Sequence, residues 1–144
     1  MQRRTHLTIL ASLMLTTGLA FAADPIKIGV TGPYTGGSSS MGVSMRDGVK
    51  LAISEINKAG GVLGRQLQAV ERDDEAKNER GVQIAQELIN KEKVVATLGF
   101  INTGVALASQ RFYQEAKIPV FNNVATGSIV TQQFKAPEFP DNYI

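Results

Sequence analysis

The stretch from Val94 to Val105 constrains the fold more than any other part of the chain. It begins as a short run of apolar and β-branched residues ending near Gly99, which is typical of a buried parallel strand. Asn102 and Thr103 follow, and both residue types are common helix N-caps. The pattern predicts a strand, a loop and a helix whose first turn offers backbone N–H groups to an anion such as a carboxylate. The alternative interpretation is that Asn102 and Thr103 only cap the helix.

Strands and helices alternate along the rest of the chain. Further apolar runs predict more strands, and periodic apolar residues predict helices between them. The predicted strands are 26–30, 66–73, 94–98 and 117–121, and the predicted helices are 41–59, a second ending near 91 and a third from 103 to 116. This order is typical of the α/β class, here a doubly wound parallel sheet between helices in three αβα layers. Residues 141–144 are expected to approach a fifth strand.

Three polar loops are predicted at one edge of this sheet. They are residues 31–40, 99–104 and 122–128, and each is rich in Gly, Ser, Thr and Asn. Ligands bind at the carboxyl ends of the strands in open α/β sheets. Because these loops lack a general acid or base, they indicate binding rather than catalysis.

The N-terminus has the pattern of a secretory signal peptide. Arg3 and Arg4 precede an apolar run, and Ala20-Phe21-Ala22 forms an A-x-A cleavage site. The run is short and contains small polar residues, which argues against a membrane anchor. The chain has 15 Lys and Arg against 13 Asp and Glu, so loss of residues 1–22 leaves 13 of each. A net charge of zero predicts no nucleic-acid partner.

The mature chain also lacks the residues of several kinds of catalytic site. It contains no Cys, and the only His, His6, lies in the signal peptide. Nucleophile–histidine pairs and zinc sites are therefore excluded. Gly32 and Gly37 have phosphate-loop spacing, but Ser38 stands where that loop needs lysine. The run 73–75 (Asp-Asp-Glu) could hold Mg²⁺ or Ca²⁺, but we prefer a role at the start of the next helix. We expect no metal, no cofactor and no enzymatic activity.

Several short motifs occur in a characteristic order between residues 26 and 126. They are Ile26-Lys27-Ile28-Gly29, Gly32-Pro33-Tyr34-Thr35-Gly36, Gly48-Val49-Lys50-Leu51-Ala52 to Ile56-Asn57, Gly60-Gly61, Asp73-Asp74, Gly99, Thr103-Gly104, Ile118-Pro119 and Ala125-Thr126. Together they resemble the type I periplasmic binding proteins of the leucine/isoleucine/valine-binding family, the substrate-binding proteins of branched-chain amino acid ABC transporters. The resemblance implies two α/β lobes that close over an amino acid, with residues 23–144 as an incomplete N-terminal lobe.

The resemblance also implies ligand-binding roles for particular residues. At the position of Thr103, the family binds the ligand α-carboxylate through a hydroxyl and an N–H group. The position of Thr126 contributes its N–H and hydroxyl, and the carbonyl at the position of Val124 accepts from the ligand ammonium. Three further residues would flank the ligand: Phe100, Ile101 and Asn102. Met41 stands where some members place an aromatic residue over the ligand.

The implied function is that of an extracytoplasmic receptor in the periplasm, binding an amino acid or a similar carboxylate-bearing solute. Its partners would be the membrane permease subunits of an ABC importer, and the full-length protein would be a monomer. An enzyme of flavodoxin-like or hydrolase type would need groups that the mature chain lacks. Two alternatives stay open: the ligand-sensing domain of a regulator, and a non-functional truncated fragment.

Overall fold

Strands and helices alternate along residues 24–144, the part of the chain that the computed structural model describes. The expected signal peptide at 1–22 lies outside the described residues. The elements are β1 (Ile26–Gly32), α1 (Ser39–Lys58), β2 (Leu67–Asp73), α2 (Asn78–Glu87), β3 (Ala96–Gly99), α3 (Thr103–Ala116), β4 (Val120–Asn122) and α4 (Ile129–Gln132). A π-helical turn (Leu88–Glu92) prolongs α2. Within residues 24–144, no helix has the length and apolar character needed to cross a bilayer.

The four strands form one parallel sheet in the order β2-β1-β3-β4. Ile28 of β1 lies opposite both Ala69 of β2 and Ala96 of β3. Every connection between successive strands contains a helix, as parallel pairing requires. The predicted fold class, a doubly wound parallel sheet flanked by helices, is confirmed.

The main core lies between the sheet and the helices α2 and α3. Its largest members are Phe100 and Tyr113, each 1 % exposed, whose rings meet edge to face at 6.2 Å. The other buried members of this cluster are Ala85, Val105, Ala106, Val120, Ala125 and Val130. A second cluster consists of Val70, Ile84, Leu88 and Val94. These contacts fix α3, and therefore its N-terminus, against the end of β3.

The opposite sheet face carries α1 and an open apolar groove of about 500 Å³ beside it. Met45, Val49 and Ile53 of α1 line one wall, and Leu98 and Phe121 line the other. The Phe121 side chain is 58 % exposed. Parallel sheets normally have both faces covered. The part of the sheet beside α1, at Leu98 and Phe121, is therefore unusually open.

Several boundaries differ from the predicted ones, each for a local reason. Strand β1 continues to Gly32, so the loop before α1 shortens to residues 33–38. Strand β4 begins at Val120 rather than at 117, because Lys117 adopts a left-handed conformation (φ 56°) that ends α3. Beyond β4, Tyr143 accepts a hydrogen bond from the Val120 amide at 2.7 Å, although residues 141–144 form no strand.

Candidate functional site

The N-terminus of α3 lies at the carboxyl edge of the sheet, directly after β3. Thr103 is the first residue of this helix. Its hydroxyl accepts a hydrogen bond from the Gly127 amide at 3.2 Å, although the two residues are 24 positions apart. This contact joins the loop after β3 to the loop after β4. The structure therefore brings the predicted site residue Thr103 next to the loop that carries Thr126.

The loop after β4 is fixed by a set of hydrogen bonds. The amides of Val124 and Ala125 both donate to the Phe100 carbonyl, at 3.1 and 3.0 Å. The Asn122 side chain donates to the Ala125 carbonyl at 2.8 Å and accepts from the Ala125 amide at 3.1 Å. The backbone of Val124 and Thr126 is thus held in place by its neighbours. The sequence analysis did not single out Asn122, since its role depends on a contact within the folded loop.

Asn102 occupies the N-cap position of α3, but its side chain makes no capping hydrogen bond. Its amide nitrogen lies 3.4 Å from the Ser38 hydroxyl, across the site. The amide oxygen is buried and has no hydrogen-bond partner within residues 24–144. The interpretation of Asn102 as a side-chain cap is therefore wrong. The first amides of α3 have no intrahelical partner, as at the start of any helix.

Phe100 and Ile101 lie at this edge with their side chains turned into the protein. The two residues are 1 % and 6 % exposed. Phe100 packs in the main core, and Ile101 lies close to Gly32. At the surface of the site Phe100 and Ile101 therefore offer only backbone groups. The Phe100 carbonyl already accepts two hydrogen bonds, from Val124 and Ala125.

Met41 and Val124 share the wall of a wide cavity of about 580 Å³. Met41 lies in the first turn of α1 and is 47 % exposed. Ser40, Ser44, Met45 and Asn123 complete the wall. The predicted site residues at the start of α1 and after β4 thus border one space.

The carboxylate of Asp73 holds the loop between β1 and α1. It accepts hydrogen bonds from the Tyr34 amide at 2.8 Å, the Thr35 hydroxyl at 2.7 Å and the Glu75 amide at 2.9 Å. Burial alone would raise the pKa of Asp73, but these hydrogen bonds outweigh it and lower the pKa. Asp73 therefore stays ionised and fixes the loop that leads to Met41.

The other two acidic residues of the 73–75 run point elsewhere. Asp74 is fully buried and accepts from the Ala76 amide at 2.9 Å, whereas Glu75 pairs with Lys77 at 2.6 Å. Helix α2 begins only at Asn78, with Lys77 as its N-cap. The preferred interpretation, that residues 73–75 act at the start of the next helix, is therefore wrong. Within residues 24–144 no group of three or more metal-ligating side chains converges.

A parallel sheet with fixed polar loops at its carboxyl edge has the arrangement in which open α/β proteins bind their ligands. Residues 25–143 match the family described as periplasmic binding protein, and the chain belongs to that family.

Individual relatives agree with this assignment. An amino acid binding protein of Pseudomonas aeruginosa is 29% identical over 131 residues, which cover 91% of this chain and 35% of that protein. The branched-chain amino acid substrate-binding protein LivJ of Streptococcus pneumoniae, solved with isoleucine, superposes with a TM-score of 0.72 at 28% identity. That match covers 76% of this chain and 31% of LivJ. A solute-binding protein of an ABC transporter from Rhodopseudomonas palustris, solved with 3,4-dihydroxybenzoic acid, superposes with a TM-score of 0.68. It is 34% identical, and the match covers 76% of this chain and 30% of that protein.

The chain thus spans about a third of the length of the curated relatives it matches.

Proposed function

We propose that this protein is an extracytoplasmic solute-binding receptor of an ABC importer, and that it binds an amino acid or a similar small solute with a carboxylate. Two kinds of relative support the proposal. LivJ carries isoleucine and the Rhodopseudomonas palustris protein carries 3,4-dihydroxybenzoic acid. Both of these ligands have a carboxylate, and branched-chain amino acids are the first candidates because the sequence motifs resemble those of their receptors.

The observation that carries the proposal is the position of Thr103 at the start of α3. A helix N-terminus attracts an anion through its backbone N–H groups and its dipole. Thr103 adds a hydroxyl at that same point, and this hydroxyl accepts a hydrogen bond from the Gly127 amide. Thr126, on the adjacent loop, is exposed and can add its own N–H and hydroxyl to the same anion.

The remaining predicted residues have complementary roles in this proposal. The carbonyl of Val124, on a loop fixed by Asn122, would accept from the ligand ammonium. Asn102 would contact the ligand with its buried amide oxygen, which has no other partner within residues 24–144. Phe100 and Ile101 would border the ligand through their backbone, and Met41 would border its side chain.

Export and partners follow from the same proposal. Residues 1–22 would be a signal peptide that is removed on export to the periplasm, and residues 23–144 would form part of the N-terminal lobe. The partners would be the solute and the permease subunits of the importer. We expect the mature receptor to be a monomer, to need no cofactor and to have no enzymatic activity.

Calorimetric titration of the protein expressed from its complete gene tests this function. The probes are L-leucine, L-isoleucine, L-valine and 4-hydroxybenzoate, with L-leucinol as a leucine analogue that lacks the carboxylate. We expect Thr103→Ala to weaken binding by ~1.5–3 kcal/mol, the range for a hydrogen bond to a charged group. Thr131→Ala, an exposed threonine on α4, is the matched control and should bind as the wild type does.

The outcomes separate the parts of the proposal. Binding of leucine without binding of leucinol supports recognition of the carboxylate. Equal affinity of Thr103→Ala and the wild type would remove Thr103 from the site. A wild-type protein that binds none of the carboxylate probes would refute the proposed ligand class.

A further inference from the structure

Gly127 makes two backbone hydrogen bonds that fix it beside the proposed anion site. Its amide donates to the Thr103 hydroxyl at 3.2 Å, and its carbonyl accepts from the Val130 amide at 2.9 Å. The preceding part of the loop is fixed separately by Asn122 and by the Phe100 carbonyl. Gly127 therefore has little freedom to move away from Thr103.

The hydrogen bond from Gly127 determines what the Thr103 hydroxyl can offer to a ligand. A hydroxyl has one hydrogen to donate and two lone pairs that accept. The Gly127 amide occupies a lone pair, and the hydroxyl hydrogen must point away from this donor. The hydrogen remains available for an acceptor, and the bond received by the oxygen strengthens the one it donates. An anionic acceptor fits this arrangement.

The space at Gly127 is as restricted as its hydrogen bonding. A Cβ atom there would lie 2.5 Å from the Thr103 Cγ2 methyl and 3.2 Å from its hydroxyl oxygen. Gly127 is not among the glycines with a positive φ. The requirement for glycine is thus one of space and not of backbone conformation, and the Thr103 methyl makes the shortest of these contacts.

We propose that Gly127 is a positioning residue, which holds the Thr103 hydroxyl as a hydrogen-bond donor toward the bound carboxylate. This inference rests on the proposed function of Thr103. The contact between Gly127 and Thr103 does not depend on a ligand: the absence of a side chain at 127 allows the backbone amide to reach the hydroxyl. Any added Cβ forces the Thr103 side chain, the loop, or both to shift.

Substitutions that add a methyl group at residue 127 and remove one at residue 103, made in the protein expressed from its complete gene, test the inference. Gly127→Ala should weaken L-leucine binding by about tenfold or more, the equivalent of one lost hydrogen bond to a charged group. Thr103→Ser keeps the hydroxyl and removes the methyl, so it should bind within about threefold of the wild type. The double variant should recover to within about threefold of Thr103→Ser, because the clashing methyl is gone.

Two controls distinguish a loss of the Thr103 hydroxyl position from general damage to the fold. Gly37→Ala lies in another loop near the site, where an added Cβ would have no atom within 4 Å, and it should bind as the wild type does. Hydrogen exchange of the residue 127 amide provides a readout without ligand. Replacement of Thr103 by valine should accelerate that exchange by about tenfold, since the amide loses its acceptor.

Each outcome supports or overturns the inference. Recovery in the double variant supports it, because recovery traces the loss of binding to the contact between residue 127 and the Thr103 methyl. Unchanged binding by Gly127→Ala, failure of the double variant to recover, or unchanged amide exchange in Thr103→Val overturns the positioning role alone. If the wild type binds none of the carboxylate probes, the proposed function fails and the assignment of an anion to this contact fails with it.

Discussion

Replacement of Asp74 by asparagine should make the protein more stable at neutral pH. Asp74 is fully buried, and its Oδ2 atom has no hydrogen-bond partner within residues 24–144. Burial raises the pKa of Asp74; the Ala76 amide and the neighbouring Thr31 hydroxyl partly offset this, and the negative charge of Asp73 adds to it. An asparagine keeps the oxygen that accepts from Ala76. Its new NH₂ group can donate to the oxygen of the Thr31 hydroxyl, which lies beside Asp74.

The sign of the pH dependence follows from the raised pKa of Asp74. Between its unfolded pKa and its higher folded pKa, the folded state binds more protons than the unfolded state. The stability contributed by this carboxyl is therefore fully present below the unfolded pKa, near pH 4, and is lost as pH rises through the folded pKa. The asparagine does not titrate. Its advantage over Asp74 should be small at acid pH and should grow toward neutral pH.

The size of the effect comes from the unpaired buried oxygen. Leaving a buried polar group without a partner costs ~1–3 kcal/mol, so we expect a gain of that size in the free energy of unfolding at neutral pH. Urea unfolding at several pH values between about 4 and 7.5 measures it. Asp141→Asn, at an exposed position, is the matched control and should change little. A gain that is the same at both ends of the pH range, or a loss at neutral pH, would refute the reasoning.

Four further predictions concern backbone space at two glycines, the helix cap and export. Gly99→Ala should destabilise by more than ~2 kcal/mol in urea unfolding, because an added Cβ would lie 2.8 Å from the Thr31 methyl and 2.9 Å from its carbonyl oxygen. Gly48→Ala, where nothing lies within 4 Å, should instead stabilise α1 by ~0.5–1 kcal/mol. Asn102→Ala should change stability by less than ~0.5 kcal/mol, since its side chain makes no capping bond; a loss typical of an N-cap would contradict this. Intact-mass analysis of the exported protein should show cleavage after Ala22 or one residue later, and a mature protein that begins at Met1 would refute the signal peptide.

The fold could be predicted from the sequence because each strand and helix carries its own local pattern. The β-branched run before Gly99 indicates a buried strand, and the apolar period after Thr103 indicates a helix. Once a helix separates each pair of strands, parallel pairing is the remaining arrangement. The order of strands in the sheet needed the structure, because pairing of β1 with both β2 and β3 is a long-range choice.

Element ends were harder to predict, because non-glycine residues adopt conformations that usually mark glycine. Lys93 ends the π-helical turn and Lys117 ends α3, both with a φ near +57° (58° and 56°). No local sequence signal distinguishes these lysines from the helical residues before them. The predicted strands consequently started two or three residues too early.

The roles of the acidic side chains also needed the fold. Asp73 and Asp74 are adjacent and chemically identical, yet Asp73 tethers Tyr34 and Thr35 whereas Asp74 is enclosed. Strand alternation turns successive side chains in opposite directions. Two partners of Asp73, Thr35 and Tyr34, lie 38 and 39 residues away in the chain. The sequence analysis therefore recognised the acidic run 73–75 but wrongly placed its role at the start of α2.

The site proposed here recognises what different ligands share, and this bears on selectivity. Thr103, Thr126 and the first amides of α3 are suited to a carboxylate, which isoleucine and 3,4-dihydroxybenzoic acid both possess. A hydroxyl or a backbone N–H group that binds the carboxylate does not contact the side chain or ring of the ligand. Met41 is the proposed site residue whose exposed side chain is apolar and flexible, and such side chains adapt to ligands of different shape. We therefore expect substitutions at Thr103 to weaken all carboxylate ligands alike, and substitutions at Met41 to change their ranking.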